Sequence, residues 1–267
     1  MSLFLWNHPV TAERYRLFTE RHDRYRVAAA ALAEAAAIAP GHKVLDVAAG
    51  VGCTALACLQ RLGEDDTVAA AEAADAMRQE GERRTRGRPV NWYAAPPQGQ
   101  TYDRVICGAA LWALGQAGEV IGQMSHHVAS EGALAVSLPA AYLGEADAPG
   151  GGPDPHLTSL PEALKALDLG KPPATAQPLL SETGLRQAFA DHGFVMSRSS
   201  ICLRLTQDAY CDWLALPPVN DTLLGQVPPE ERPVLVYRCA EDLDMSSWRW
   251  ESWALCIGTR LRVRTHK

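Results

Sequence analysis

Residues 43–54 read KVLDVAAGVGCT. A short apolar strand breaks at Asp46 into small residues and two glycines, Gly50 and Gly52, and then passes into TALACLQRL (54–62), which reads as a helix. Strand, glycine-rich turn and helix together make a platform for a ligand. Backbone N–H groups at the helix start point outward, and the missing side chains let something large and polar approach the main chain. Such turns also occur where a strand simply packs tightly on a helix, so residues 46–52 take their meaning from the rest of the chain.

The next strand supplies a partner. TVAAA (67–71), weak in strand propensity because of its alanines, runs into EAADAM (72–77) and places Glu72 at its end, 20 residues after Gly52. A carboxylate at that distance on the neighbouring strand can accept hydrogen bonds from both hydroxyls of a ribose. The turn lacks the G-x-G-x-x-G spacing that seats a pyrophosphate, and it has no Lys of a phosphate-binding loop. Asp46, close before the turn, is poor company for phosphate and suits a cationic ligand.

Beyond this pair the rhythm continues. Helix is expected over 10–38, 75–84, 117–128, 181–193 and 206–216; strand over 90–94, 102–108, 131–139, 194–205 and 252–263. Alternation at this spacing calls for a mostly parallel sheet covered on both faces. Residues 139–180 break the pattern with many prolines and glycines. They hold one short helix, SLPEALKALDL, with Ser159 and Glu162 at capping-box spacing, and read as a lid or binding loop. The organisation is therefore an N-terminal helical cap segment (1–40), a cofactor-binding core (41–138), an insertion (139–180), and the remainder of the core (181–267) with a helical insertion at about 206–250.

The 267 residues carry a net charge of −6, with 47% apolar and 21% charged residues. That balance is ordinary for a globular protein and disfavours a phosphate-backbone partner, which needs clustered Lys and Arg. No apolar run reaches transmembrane length, and MSLFLWNHPVTAERYR has no secretory pattern. Seven scattered cysteines without a CxxC pair read as thiols in a reducing cytoplasm, with no metal expected.

VLDVAAGVGCTAL resembles the first motif of class I S-adenosylmethionine-dependent methyltransferases, acid-x-Gly-x-Gly-x-Gly, and looks most like the quinone-biosynthesis and small-molecule branch. EAADAM resembles the second motif, YDRVICGAALWAL the fourth-strand segment, and AGEVIGQMSHHVASEGALAVSLP the helix, turn and strand that follow. The resemblance implies a Rossmann-like, doubly wound, mostly parallel seven-stranded α/β sheet with an antiparallel last strand. It implies S-adenosylmethionine as cofactor: Asp46, Ala48, Ala49, Gly50 and Gly52 at its methionine part, Glu72 on the ribose, and Ala73, Met77, Ala95 and Pro96 around the adenine. Cys107 ends the fourth strand beside the cofactor, and Tyr15 closes over it. Two departures stand out. Ala48 replaces the first glycine, and Ala95-Pro96 falls where the family commonly has an acid for the adenine amino group.

Substrate is expected beyond the C-terminal strand ends, against aromatic residues: Trp6, Trp112, Tyr142 and Trp213. CGAALW after the fourth strand is not the Asn/Asp-Pro-Pro-aromatic motif for planar amines, so a small aromatic, quinone- or polyketide-like acceptor is expected, methylated on oxygen or carbon. A general base is needed only if the acceptor is a hydroxyl or an acidic carbon; His8, His22 and Tyr25 are the candidates, with Tyr15 and His156 beside them. Cyclisation or rearrangement on the same fold, and a non-catalytic nucleotide-sensing subunit, remain open alternatives. So does a homodimer.

Overall fold

The structure is a computed structural model that describes residues 3–145, 181–241 and 243–260. Helices α1 (Leu3–Trp6), α2 (Pro9–Arg21) and α3 (Arg24–Ala35) precede the first strand. Five strands follow, β1 (Val44–Val47), β2 (Val68–Ala71), β3 (Val90–Tyr93), β4 (Tyr102–Gly108) and β5 (Val128–Pro139). Helices α4 (Cys53–Leu59), α5 (Asp75–Arg84) and α6 (Ala117–Ser125) lie between them. Helix α7 (Glu182–Asp191) leads to β6 (Phe194–Thr206), and β7 (Trp248–Arg260) ends the sheet. Between those last strands come α8 (Gln207–Leu214), α9 (Asp221–Leu224) and α10 (Arg232–Cys239).

The seven strands are ordered β3-β2-β1-β4-β5-β7-β6. β1 to β5 pair in parallel, and β7 runs antiparallel between β5 and β6. The order reverses between β1 and β4, so a crevice opens at their C-terminal ends, which is where ligands bind in such sheets. The alanine-rich β2 holds because Val68, Ala69, Ala70 and Ala71 are all buried between β1 and β3. One face of the sheet packs Val44, Val68 and Ile106 against Leu32 and Ala33 of α3 and Ala55 and Cys58 of α4. The other packs Leu45, Val105 and Leu134 against Ile121 and Met124 of α6 and Phe189 of α7. Each cluster is a continuous apolar layer, the dominant favourable term of the fold.

Two expectations need correction. The helix expected over 10–38 is two helices, because His22 is extended (φ −115°, ψ 136°). Here side chains far away in sequence override helix propensity. His22 Nε2 bonds Asp212 Oδ2 at 2.7 Å, while Arg21 pairs with Asp208 and Asp212, docking the break onto α8. The last strand begins at Trp248 rather than 252, since it pairs with β6 along its whole length, from Phe194 opposite Arg260 to Thr206 opposite Trp248. The helix expected around Ser159 and Glu162, His156 and most of the 139–180 insertion lie outside the described residues. Among the described residues, no helix is long and apolar enough to cross a membrane.

Candidate cofactor and substrate site

The turn after β1 is built on left-handed backbone: Ala48 has φ 55°, Gly50 56° and Gly52 84°. At Ala48 the Cβ makes this conformation cost about 1–2 kcal/mol. The turn is held in return by Ala49 N–H on the Ala71 carbonyl and Gly52 N–H on the Ala49 carbonyl. Glu72, at the end of β2, cross-braces the same turn. Its Oε2 accepts the Gly50 N–H at 2.8 Å and its Oε1 accepts the Ala74 N–H at 2.9 Å. Each oxygen keeps a further lone pair. Burial raises the Glu72 pKa, and the amides of Ala74 and Gly50 offset this only in part. Above Gly50 the space is faced by Tyr15 and Met77, whose nearest atoms would lie 3.5 and 3.6 Å from an added Cβ.

Asp46 is fully buried beneath the turn, and neither carboxylate oxygen has a hydrogen bond of normal geometry. Burial pushes its pKa well above the ordinary carboxylate range, and the Ala55 amide of α4 acts in the opposite direction without cancelling it. Ionising an acid buried this way is costly unless a positive charge comes near.

Over the turn lies a cavity of about 350 Å³. Of the residues singled out from sequence, it brings together Tyr15, Ala48, Ala49, Gly50, Glu72, Ala73 and Met77 with Trp6, Tyr25 and Trp112. Gly52 sits just below as the N-cap of α4, close to the Trp92 ring. Trp6 stands edge-on to both Tyr15 (centroids 5.7 Å apart) and Trp112 (6.3 Å), so the N-terminal segment bridges the two sides of the opening. Tyr142 stacks on Trp112 at 5.5 Å and 5°, and Trp213 lies 6.5 Å from it; both back the wall without lining the cavity.

Other expected site residues fall elsewhere. Cys107 is enclosed in the sheet's apolar layer, where burial pushes its thiol up to about 12. Pro96 faces a separate hollow of about 540 Å³ with Val47, Gln98 and Thr101; Leu114 borders both spaces. Ala95 is exposed and lines neither. The loop after β3 has passed beyond β1 toward α6, which carries these residues off the cavity. His8 caps α2 without a side-chain bond, and His22 is engaged with Asp212; neither lines the cavity.

Sequence reasoning missed several lining residues. Ala109 (φ 58°) lines the cavity, and its N–H donates to Ser137 Oγ at 3.2 Å. Ser137 also lines it; its signal was a lone polar residue in the otherwise apolar ALAVSLP. Cys53 lines it too, its Sγ accepting from Arg84 at 3.1 Å. Behind Tyr25 lies a buried ion pair, Arg24 Nε to Glu251 Oε2 at 2.8 Å and Nη2 to Oε1 at 2.5 Å. Burial opposes the guanidinium's charge, but Glu251 more than offsets it and holds the Arg24 pKa above its ordinary value.

A reversal-point cavity, a glycine-rich turn after β1 and an acid ending β2 make a nucleoside-type ligand site, and the match to a methyltransferase family makes the chain a class I S-adenosylmethionine-dependent methyltransferase. The chain belongs to the methyltransferase domain family, whose family model matches residues 20–198, more than half of its length. No curated protein matches the sequence. Among solved structures, the YcgJ protein of Bacillus subtilis is similar in fold (TM-score 0.55, 14% identity, 90% of this chain and 100% of that one). So is magnesium protoporphyrin IX methyltransferase of Synechocystis PCC 6803 with bound S-adenosylhomocysteine (0.51, 17%, 90% and 83%). The [4+2]-cyclase SpnF shares the fold as well (0.53, 14%, 88% and 81%). The residues present fit S-adenosylmethionine: Glu72 keeps free lone pairs at the cavity, Gly50 leaves a cradle that a side chain would fill, and the Asp46 carboxyl beneath it has no side-chain partner of its own, so a cationic ligand would favour its ionised form.

Proposed function

We propose that this enzyme methylates oxygen or carbon of a small aromatic, quinone- or polyketide-like metabolite. The observation that carries this reading is one cavity lined both by the carboxylate of Glu72 and the glycine turn and by the aromatic rings of Trp6, Tyr25 and Trp112. Glu72 accepts the ribose hydroxyls. The backbone of Ala48–Gly52 seats the methionine part, and the cationic cofactor favours the ionised form of Asp46 below it. Met77 and Ala73 frame the adenine, and Tyr15 covers the cofactor. The cofactor supplies a methyl group made electrophilic by its sulfonium. The protein's task is to align the acceptor with that methyl and keep water out, which suits a rigid apolar pocket. Of the three base candidates, Tyr25 is the one that lines this cavity. The net charge of −6 favours a small molecule over nucleic acid, and seven free cysteines suit the cytoplasm.

A second reading, cyclisation or rearrangement without methyl transfer, is favoured by one observation: Ala95 and Pro96 stand clear of the cavity, leaving the adenine edge without its usual acid. Incubation with S-adenosylmethionine carrying a labelled methyl group and a metabolite extract separates the two. Label in a small-molecule product supports transfer; binding without any labelled product supports the second reading.

A further inference from the structure

We propose that Tyr25 sets acceptor specificity, its hydroxyl donating a hydrogen bond to a carbonyl oxygen conjugated with the acceptor's flat ring. This rests on the reading above, in which cofactor and acceptor share the cavity. Tyr25 lines that cavity and is 6% exposed. Trp213 Nε1 donates to its hydroxyl at 3.2 Å. A phenol has one proton to give and two lone pairs. Trp213 occupies a lone pair, and among the described residues no group accepts the proton.

The hydroxyl's direction is fixed from behind. The Arg24 guanidinium lies 5.4 Å from the Tyr25 ring, 5.1 Å from Trp213 and 5.5 Å from Trp253. Glu251 holds Arg24 through two hydrogen bonds and takes the Trp253 indole N–H at 2.7 Å. Tyr25 and Trp213 are therefore clamped by a charge that is already neutralised, so the partner of the free proton need not be an anion. Burial raises the Tyr25 pKa, which keeps the phenol protonated at neutral pH and so able to donate. Trp112, stacked flat on Tyr142, and Trp6, edge-on to Trp112, line the same cavity, apolar ring surfaces that suit a planar apolar body. A conjugated ring ketone or quinone combines that body with an uncharged acceptor oxygen.

The test uses two probes with the same bicyclic frame, α-tetralone with a carbonyl and tetralin without. Each is titrated calorimetrically into the full chain loaded with S-adenosylhomocysteine. The expected result is that α-tetralone binds about three- to tenfold more tightly than tetralin, the yield of one neutral hydrogen bond. In protein that still takes up S-adenosylhomocysteine, Tyr25→Phe abolishes that preference and returns the carbonyl stretch of bound α-tetralone from its lowered frequency. If Tyr25→Phe does not fold, Trp213→Phe removes the orienting N–H, and the preference falls with it. No preference in the wild-type protein, with or without binding of either probe, overturns the inference, as does a preference that survives the substitutions. Failure to bind S-adenosylhomocysteine counts instead against the cofactor reading, and removes the inference with it.

Discussion

Glu72 and Gly50, 22 residues apart, are joined by one hydrogen bond, from the Gly50 N–H to Glu72 Oε2 at 2.8 Å. It ties the end of β2 to the turn after β1, so both halves of the cofactor cradle move as one. The same carboxylate caps Ala74 at the start of α5. Glu72 is thus a structural brace as well as the acid that faces the cavity.

Glu72→Ala is expected to weaken S-adenosylhomocysteine binding by about 1.5–3 kcal/mol, roughly 10- to 150-fold, the scale of a lost charged-group hydrogen bond. Glu72→Gln keeps one acceptor oxygen and should lose less. Calorimetric titration of the three proteins reads the order directly; equal affinities would remove Glu72 from the ligand.

Gly50→Ala puts a methyl group where the backbone is left-handed, at φ 56°. The space is ordinary, 3.5 Å from Tyr15 and 3.6 Å from Met77, so strain and not collision dominates the stability change. A loss of about 1–2 kcal/mol is expected from denaturant unfolding, together with weaker cofactor binding because the methyl fills the cradle.

Asp46 gives a pH signature. Its folded pKa is raised by burial above an ordinary value of 3.8, so the folded state holds the proton more tightly than the unfolded one. Ionising the group therefore destabilises the fold. The stability of Asp46→Asn minus that of wild type should rise as pH climbs from 3.8 toward the raised folded value, then level off. Chemical denaturation of both proteins across that range checks the sign. A difference that falls with pH would mean that Asp46 is stabilised as a carboxylate.

The buried pair Arg24–Glu251 should respond asymmetrically. Glu251→Gln leaves a buried guanidinium without its counter-charge, and a loss of about 3–5 kcal/mol is expected. Replacing both partners, Arg24→Met with Glu251→Leu, should recover most of that stability. Urea unfolding of the single and double variants measures the coupling.

Much of the core was legible because its signals are local. The β1 turn shows its glycines, α5 has the bounds that DAMRQEGERR suggests, and Glu72 follows its strand directly. Even the weak strand propensity of the alanine-rich β2 did not mislead, since burial between two strands decides its conformation. What was not legible depends on partners distant in sequence. The helix break at His22 is made by Asp212, 190 residues away, and the clamp on Tyr25 by Glu251, 227 residues from Arg24. The loop carrying Pro96 follows its strand as expected, yet its tertiary path takes it to another hollow. The aromatic residues Trp6, Tyr25 and Trp112 were named from sequence, whereas Cys53, Ala109 and Ser137, small residues without an aromatic signal, join them in the lining only through packing.

The most direct measurement is a calorimetric titration of the purified wild-type chain with S-adenosylmethionine. Saturable one-to-one binding is expected. An absence of binding up to about millimolar cofactor, corresponding to less than about 4 kcal/mol of affinity, would contradict the account.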